Sequence, residues 1–307
     1  MLIQEMGKFS RRHPALRLGL WPAIWLKRGW SKQMNRRVER TFDRLAELLA
    51  EDPVLRVAEF DGTFAVSPHG ALFRRIAECG AWEPTLTRIC VELLDSRRDA
   101  VDIGANVGFF TVLFAKRLAE RRVLAIEPTR NALARLRRNI ALNAVQSNTI
   151  VFEGAASNRS DWLEIKTIAG FEEYSSLGAM DHPSIAGASF VTERVEARTL
   201  DQLVREHKLD CGFVKVDVEG VEHTVFEGGR QTLAMQRPVV LSELSDYLLR
   251  KNGSSSLEIV QMFEALDYVV VDPQNVGDRP GRSQFGDILC LPREHPRARQ
   301  FSAFDHS

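Results

Sequence analysis

The densest chemistry in this chain lies in Asp102-Ile103-Gly104-Ala105-Asn106-Val107-Gly108-Phe109-Phe110. Its glycines let a backbone turn sharply and approach a ligand closely. Where a helix begins just after such a turn, its first amides are available to hold a carboxylate. A pyrophosphate site wants Gly-x-Gly-x-x-Gly. This segment reads Gly-x-Asn-x-Gly, with Phe109 where the third glycine should fall. The spacing suits a ligand carrying an amino acid in place of phosphates. Glu127, followed by Pro128, closes the next apolar strand and is placed to accept the hydroxyls of a ribose. A nucleoside with an amino-acid tail and no phosphate is S-adenosylmethionine. Asp102, Gly104, Asn106, Gly108 and Glu127, together with Ala155, are expected to hold it. The bland alternative is a tight turn at the glycines and a helix cap at Glu127.

That cofactor donates a methyl group, and an alcohol acceptor is a poor nucleophile that needs a base. The candidates follow the central strands: Asp217 and Glu219 after the fourth, Glu243 after the fifth, and His223 in the helix after the fourth. Asp217, Glu243 and His223 are the expected catalytic residues. Asp217 ranks first, because a strand end aims it at the ligand edge. Lys215, two residues earlier on the same face, can pair with Asp217 or with Glu243. Asp217 could instead cap a helix, Glu219 could stabilise a first helical turn, and His223 could be an exposed helix residue. Glu219, Tyr174, Ser176 and His182 are expected around the acceptor, with solvent-facing loop positions as the alternative for the last three. Asp217 and Glu243 could also hold Mg²⁺. Two carboxylates without a clear third partner make that weak, so no metal is expected.

These residues need a scaffold of alternating strands and helices. Ala100–Ile103, Val123–Ile126, Thr149–Phe152, Phe213–Val216, Val239–Leu241, Tyr268–Val271 and Asp287–Cys290 read as strands. Helical spacing falls between several of them, from about Val107 to Ala119 and over 130–142. Such alternation gives a mainly parallel sheet covered on both sides. Residues 154–212 form an insertion, whose Gly/Ala/Ser-rich stretch from Ile168 to Ser189 reads as a loop. Upstream, apolar spacing predicts a helix near 34–51, then a tight hairpin turning at Asp61-Gly62, then a helix opened by Pro84. The expected organisation is a basic helical arm and β-hairpin over 1–75, a catalytic domain over 76–295, and a tail over 296–307.

Forty-one Lys and Arg balance forty-one Asp and Glu, 44% of the 307 residues are hydrophobic and 27% are charged. That excludes a wholly disordered chain and a multi-span membrane protein, and gives no global case for nucleic-acid binding. Charge is uneven, however. Residues 1–45 carry eleven Lys and Arg against three acids, a net of +8, with Trp21, Trp25 and Trp30 among them. Such an arm packs on its own domain or on a second copy of the chain, or lies on an anionic membrane surface. The start of the chain shows no signal-peptide pattern. The four cysteines, at 79, 90, 211 and 290, have no CxxC or zinc spacing. They read as buried free thiols of a cytoplasmic protein.

The run Val101-Asp-Ile-Gly-Ala-Asn-Val-Gly-Phe-Phe-Thr111 resembles the first motif of S-adenosylmethionine-dependent methyltransferases. With Val214-Lys-Val-Asp-Val-Glu-Gly-Val-Glu222 and Phe226-Glu-Gly-Gly229, it is similar to the FkbM-like branch of that family. Ile126-Glu-Pro128, the Asn139/Asn143 pair and Thr199-Leu-Asp201 are further echoes, so the likeness covers about residues 80–290. The resemblance implies a Rossmann-like, seven-stranded, mostly parallel sheet flanked by helices, with a reversed final hairpin. It implies methyl transfer, mostly to hydroxyl oxygens of sugars, glycolipids or polyketide-type products. A small-molecule or glycan acceptor is therefore expected, and no nucleic acid. A nicotinamide-dependent oxidoreductase and a non-catalytic binding protein are the competing readings. The glycine spacing argues against the first, and the intact Asp102, Gly104, Gly108 and Glu127 against the second.

Overall fold

The computed structural model describes residues 41–42, 44–49, 51–168, 175–176, 190–273 and 285–298. The basic arm up to residue 40, the greater part of the Gly/Ala/Ser-rich stretch, Tyr174, His182 and the last nine residues lie outside the described residues. The chain divides into two compact units, 1–82 and 83–307.

In the first unit, helical backbone at 41–42 and 44–48 precedes strands β1 (Val54–Val57) and β2 (Gly62–Ala65) and helix α1 (Ala71–Cys79). The hairpin pairs Val57 with Gly62, so Ala58 to Asp61 form its loop. The tight turn expected at Asp61-Gly62 is therefore wider than the sequence suggested. Asp61 adopts φ +55 and accepts from Arg56 at 2.6 Å, an exposed contact that closes the loop.

The second unit opens with α2 (Pro84–Leu93). Next come β3 (Asp99–Ile103), α3 (Phe109–Leu118), β4 (Val123–Glu127), α4 (Arg130–Leu142) and β5 (Thr149–Ala156). β6 (Asp161–Ile168), β7 (Ser175–Ser176), β8 (Phe190–Arg198) and α5 (Leu200–Glu206) follow. β9 (Cys211–Val216), α6 (Glu222–Glu227), α7 (Arg230–Gln236) and β10 (Val239–Ser245) carry the chain back to the sheet centre. α8 (Asp246–Lys251), α9 (Ser256–Ala265), β11 (Tyr268–Val271) and β12 (Phe285–Pro292) complete it.

The sheet order is β11-β12-β10-β9-β3-β4-β5-β8-β6-β7. Seven of these strands, from β11 to β5, form the expected sheet, in which only β12 runs against the others. Where the sequence suggested an insertion, β8 adds to β5 in parallel and β6 pairs with β8 antiparallel over eight residues. Ile165, Val195 and Ala197 alternate inward on these strands and form a small apolar cluster with Ala155.

Alternation along the central strands decides which side chains can meet. Val101, Ile103, Val214, Val216, Val240, Leu244, Ile288 and Cys290 point into the larger core, against Val225, Phe226, Ile259 and Phe263. A buried side chain of this size contributes about 1.5–3 kcal/mol, so the register is firmly held. Asp102, Lys215, Glu243 and Asp287 consequently share the opposite face, on the side of α3. Eight of the ten residues of α3 are buried, as befits a helix apolar on every side. All four cysteines are free, and Cys90, Cys211 and Cys290 are buried. Cys79 is exposed, which corrects the expectation of a buried thiol there. Among the described residues, no helix is long and apolar enough to cross a membrane.

Candidate active site

The bend between β3 and α3 is built by backbone geometry. Gly104 has φ +77, and a Cβ there would lie 1.8 Å from the carbonyl oxygen of Asp217. The end of β9 thus passes directly beneath the bend. Asn106 takes φ +50 and Gly108 takes φ +87, where it caps α3. The amides of Gly104 and Ala105 both donate to the Ile126 carbonyl at 3.0 Å. From α4, the Asn139 side-chain amide donates to the Val107 carbonyl at 2.8 Å, and the Asn143 amide to the Asn139 carbonyl at 2.8 Å. Asn139 therefore holds the bend, while Asn143 closes the end of α4.

Glu127 closes β4 as expected and is buried. Its Oε1 accepts from the Thr129 amide at 2.9 Å and the Thr129 hydroxyl at 2.7 Å. Its Oε2 accepts from the Asn106 amide at 2.8 Å. Since a carboxylate oxygen offers about two acceptor positions, Oε2 keeps room for one further donor, whereas Oε1 is full. Burial holds the Glu127 carboxyl above its ordinary range, against the hydrogen bonds from Thr129 and Asn106. Asp102 is more deeply buried; its Oδ2 accepts from the Thr111 hydroxyl at 2.6 Å, and its Oδ1 has no hydrogen-bond partner among the described residues. Burial raises it too, opposed by Lys215. Ala155 is buried in the apolar cluster with Ile165, Val195 and Ala197.

A second group of side chains stands at the ends of β9, β10 and β12. Lys215 donates to Asp217 Oδ2 at 3.1 Å, and its ammonium lies 4.8 Å from the Phe110 ring centroid. The lysine side chain is 7% exposed and the aspartate 32%. Burial opposes the ammonium charge, but Asp217, Asp102 and Glu83 outweigh it and hold Lys215 above its usual range. Lys215→Met would fill the same apolar slot while leaving Asp102 and Asp217 without a counter-charge. Losing one member of a buried pair costs about 3–5 kcal/mol. The lower end is expected here because Asp217 reaches solvent, and a urea midpoint unchanged from the parent protein would refute the assignment.

Asp217 does not cap α6, whose N-cap is Val221. The acid serving that helix start is Glu222, which accepts from the Gly220 amide at 3.0 Å. Burial pushes Glu222 up to about 7. Glu219 adopts φ +55 just ahead of Gly220. It reaches solvent, yet enough protein surrounds it that burial leads its rise to about 8, ahead of Asp217 and Glu222. Glu243 is half-buried and is pushed up to about 9, by burial first and then by Asp217, Asp287, Glu219 and Glu83. His223 is half-buried on α6, and its side chain makes no hydrogen bond among the described residues. The backbone of Ser176 lies on β7, paired with Lys166.

Two acids of this group were not singled out from the sequence. Glu83 precedes Pro84 and holds φ +40 at the start of α2, an uncommon conformation for a non-glycine residue. Burial pushes it up to about 7, opposed by Lys215. Asp287 is buried on β12 in register with Glu243. The phenylalanine-rich start of α3, one ammonium and a row of carboxyls thus share the carboxyl edge of the sheet, where open α/β folds bind ligands. Among the described residues, no group of three or more His, Cys, Asp or Glu side chains is placed to hold a metal ion.

Residues 102–270 match the Methyltransferase FkbM domain. The chain is 27% identical over 219 residues to the 2-O-methyltransferase NoeI of Sinorhizobium fredii, covering 66% of this chain and 88% of that protein. It is 28% identical over 159 residues to the methyltransferase sdnD of Sordaria araneosa, covering 44% of this chain and 61% of that protein. A solved FkbM methyltransferase from Methylobacillus flagellatus superposes with a TM-score of 0.45 at 17% identity, over 83% of this chain and 59% of that one.

Proposed function

The chain belongs to the FkbM methyltransferase family, and we propose that it carries the methyl group of S-adenosylmethionine to a hydroxyl oxygen of a sugar, glycolipid or secondary-metabolite acceptor. When bound, this cofactor supplies an electrophilic methyl on a sulfonium. The residues present fit it. The buried Asp102 Oδ1, two residues before the Gly104 bend, has no hydrogen-bond partner among the described residues and stands there as an open acceptor. Glu127 has one acceptor position left, on Oε2, which suits a single ribose hydroxyl.

The observation that carries the oxygen-acceptor reading is Glu243. The carboxylate of a group lifted to about 9 is a much stronger proton acceptor than an ordinary glutamate, and it stands near the carboxyl end of β10, next to Asp217 just past the end of β9. In its ionised form, populated as pH rises toward 9, Glu243 takes the proton of the acceptor hydroxyl, and Asp217, held by Lys215, orients that hydroxyl. Asp217 is thereby a positioning partner and Glu243 the base. The name of the Sinorhizobium relative, a 2-O-methyltransferase, supports an oxygen acceptor. Incubation with tritiated-methyl cofactor and a panel of sugars, glycolipids and polyketide-type alcohols tests this reading. Label should appear as a methyl ether; transfer only to nitrogen or carbon would contradict it.

Glu127→Ala is expected to weaken S-adenosylmethionine binding by about 10-fold or more, since a hydrogen bond to a charged group contributes about 1.5–3 kcal/mol. Calorimetric affinities of the two proteins measure this directly. Equal affinities would remove Glu127 from the site.

A further inference from the structure

Asp287 stands in no motif, and only the fold brings it to the candidate site. β12 pairs antiparallel with β10 in a register that sets Asp287 directly opposite Glu243. Opposed residues of an antiparallel pair send their side chains to the same face, with Cβ atoms about 4.5–5.5 Å apart. On the other side of Glu243 lies β9, paired with β10 through Leu241 and Lys215. Two residues further on come Glu243, still on β10, and Asp217, just past the end of β9, and strands are spaced about 4.8 Å apart. Three carboxyls therefore stand in one row across three adjacent strands, with Glu243 in the middle. Asp287 is 8% exposed, so water screens it little. The other charged groups acting on Glu243 are Glu219 after β9 and Glu83 at the start of α2. Lys215 is bound to Asp217.

We propose that Asp287 is a positioning residue whose buried charge, one strand over, keeps the proton on Glu243 and so sets its strength as a base. The role rests on the reading of Glu243 as the acceptor of the hydroxyl proton. Asp287 faces Glu243 across the β10–β12 pair and acts through it rather than on the reacting atoms. Two like charges in a shared, partly dry site cannot both be carried cheaply, which favours the protonated form of the central one. A neutral residue at 287 removes that repulsion without disturbing the ladder, which is made by backbone groups.

The test is a carboxyl NMR titration of the full chain with isotope-labelled glutamate, the Glu243 signal being identified by its loss in Glu243→Gln. The Glu243 midpoint should fall by about one pH unit or more in Asp287→Asn and in Asp287→Ser, and return in Asp287→Glu. A neutral variant that melts as the parent does and keeps the parental midpoint would overturn the proposal. Should neither neutral variant fold, the parent protein labelled at both aspartate and glutamate answers instead. Coupled groups each show an inflection at the other's midpoint, and two independent single-step curves would overturn it. The titration uses neither cofactor nor acceptor, so its failure is distinguishable from failure of the methyl-transfer reading. The link to the reaction is the rate profile of Asp287→Asn, whose alkaline rise should move to lower pH by the same amount.

Discussion

Glutamine in place of Glu243 is expected to lower methyl transfer to a hydroxyl by about 10²–10⁴-fold, the usual contribution of a general base. The same change should make the protein more stable above neutral pH. Unfolded, this carboxyl titrates near 4.5; in the fold it is held at about 9. The folded state therefore binds the proton more tightly than the unfolded one. The stability this provides is complete below the unfolded value and is lost as pH rises through about 9. A glutamine cannot ionise and loses nothing over that window. Melting curves from acid to alkaline pH should show the two proteins diverging as pH rises, with the variant higher. Stability held in reserve at the expense of activity is a common feature of catalytic sites. In the parent protein, the rate should climb with pH as Glu243 loses its proton. Parallel melting curves, or a variant that retains its rate, would remove Glu243 from the role of base.

Alanine at Gly104 is the second large effect. A non-glycine residue at φ +77 costs about 1–3 kcal/mol by its backbone conformation alone. Here the new Cβ would also meet the Asp217 carbonyl oxygen at 1.8 Å, and that oxygen is backbone, so the end of β9 must move. This movement would displace Asp217 from Lys215 and open the bend at once. Cofactor binding and stability should therefore fall together. Gly253 supplies the control, having φ +80 and nothing within 4 Å of its would-be Cβ. Gly253→Ala carries only the conformational cost and should leave cofactor affinity unchanged. Denaturation and binding measured on both variants separate the two contributions. If Gly104→Ala behaves like Gly253→Ala, the close approach of β9 to the bend has no functional weight.

The part of this site that could be read from sequence is the part encoded locally. Gly104, Asn106, Gly108 and Glu127 lie in one strand-turn-helix-strand unit, where glycine spacing and strand ends are visible one residue at a time. Asp217 and Lys215 are two apart on one strand, so their shared face follows from alternation, and their 3.1 Å contact bears this out. Asp287 and Glu83 were illegible for the opposite reason. Nothing beside Asp287 indicates that β12 will return antiparallel to β10, and Glu83 looks like an ordinary residue ahead of a helix-opening Pro84. The β6–β8 hairpin did carry a signal, the alternation of Leu163 with Ile165 and of Val195 with Ala197. The adjoining glycine-, alanine- and serine-rich stretch masked it. At the β1–β2 hairpin, Asp-Gly favoured a two-residue turn, but the pairing of Val57 with Gly62 moved the turn upstream. The Thr199-Leu-Asp201 echo proved structural. Thr199 caps α5, accepting from the Gln202 amide at 3.1 Å, and the Asp201 carboxylate caps α7, accepting from the Thr232 amide at 2.7 Å.

A sulfonium nucleoside lodged between the Gly104 bend and Glu127 is the premise on which every catalytic role above depends. Isothermal titration calorimetry of the purified full chain with S-adenosylmethionine, S-adenosylhomocysteine and NAD tests it most directly. Saturable heat at one site per chain is expected with the first two ligands and none with the third. Silence with both adenosyl compounds at saturating concentration, or a preference for the dinucleotide, would contradict the account.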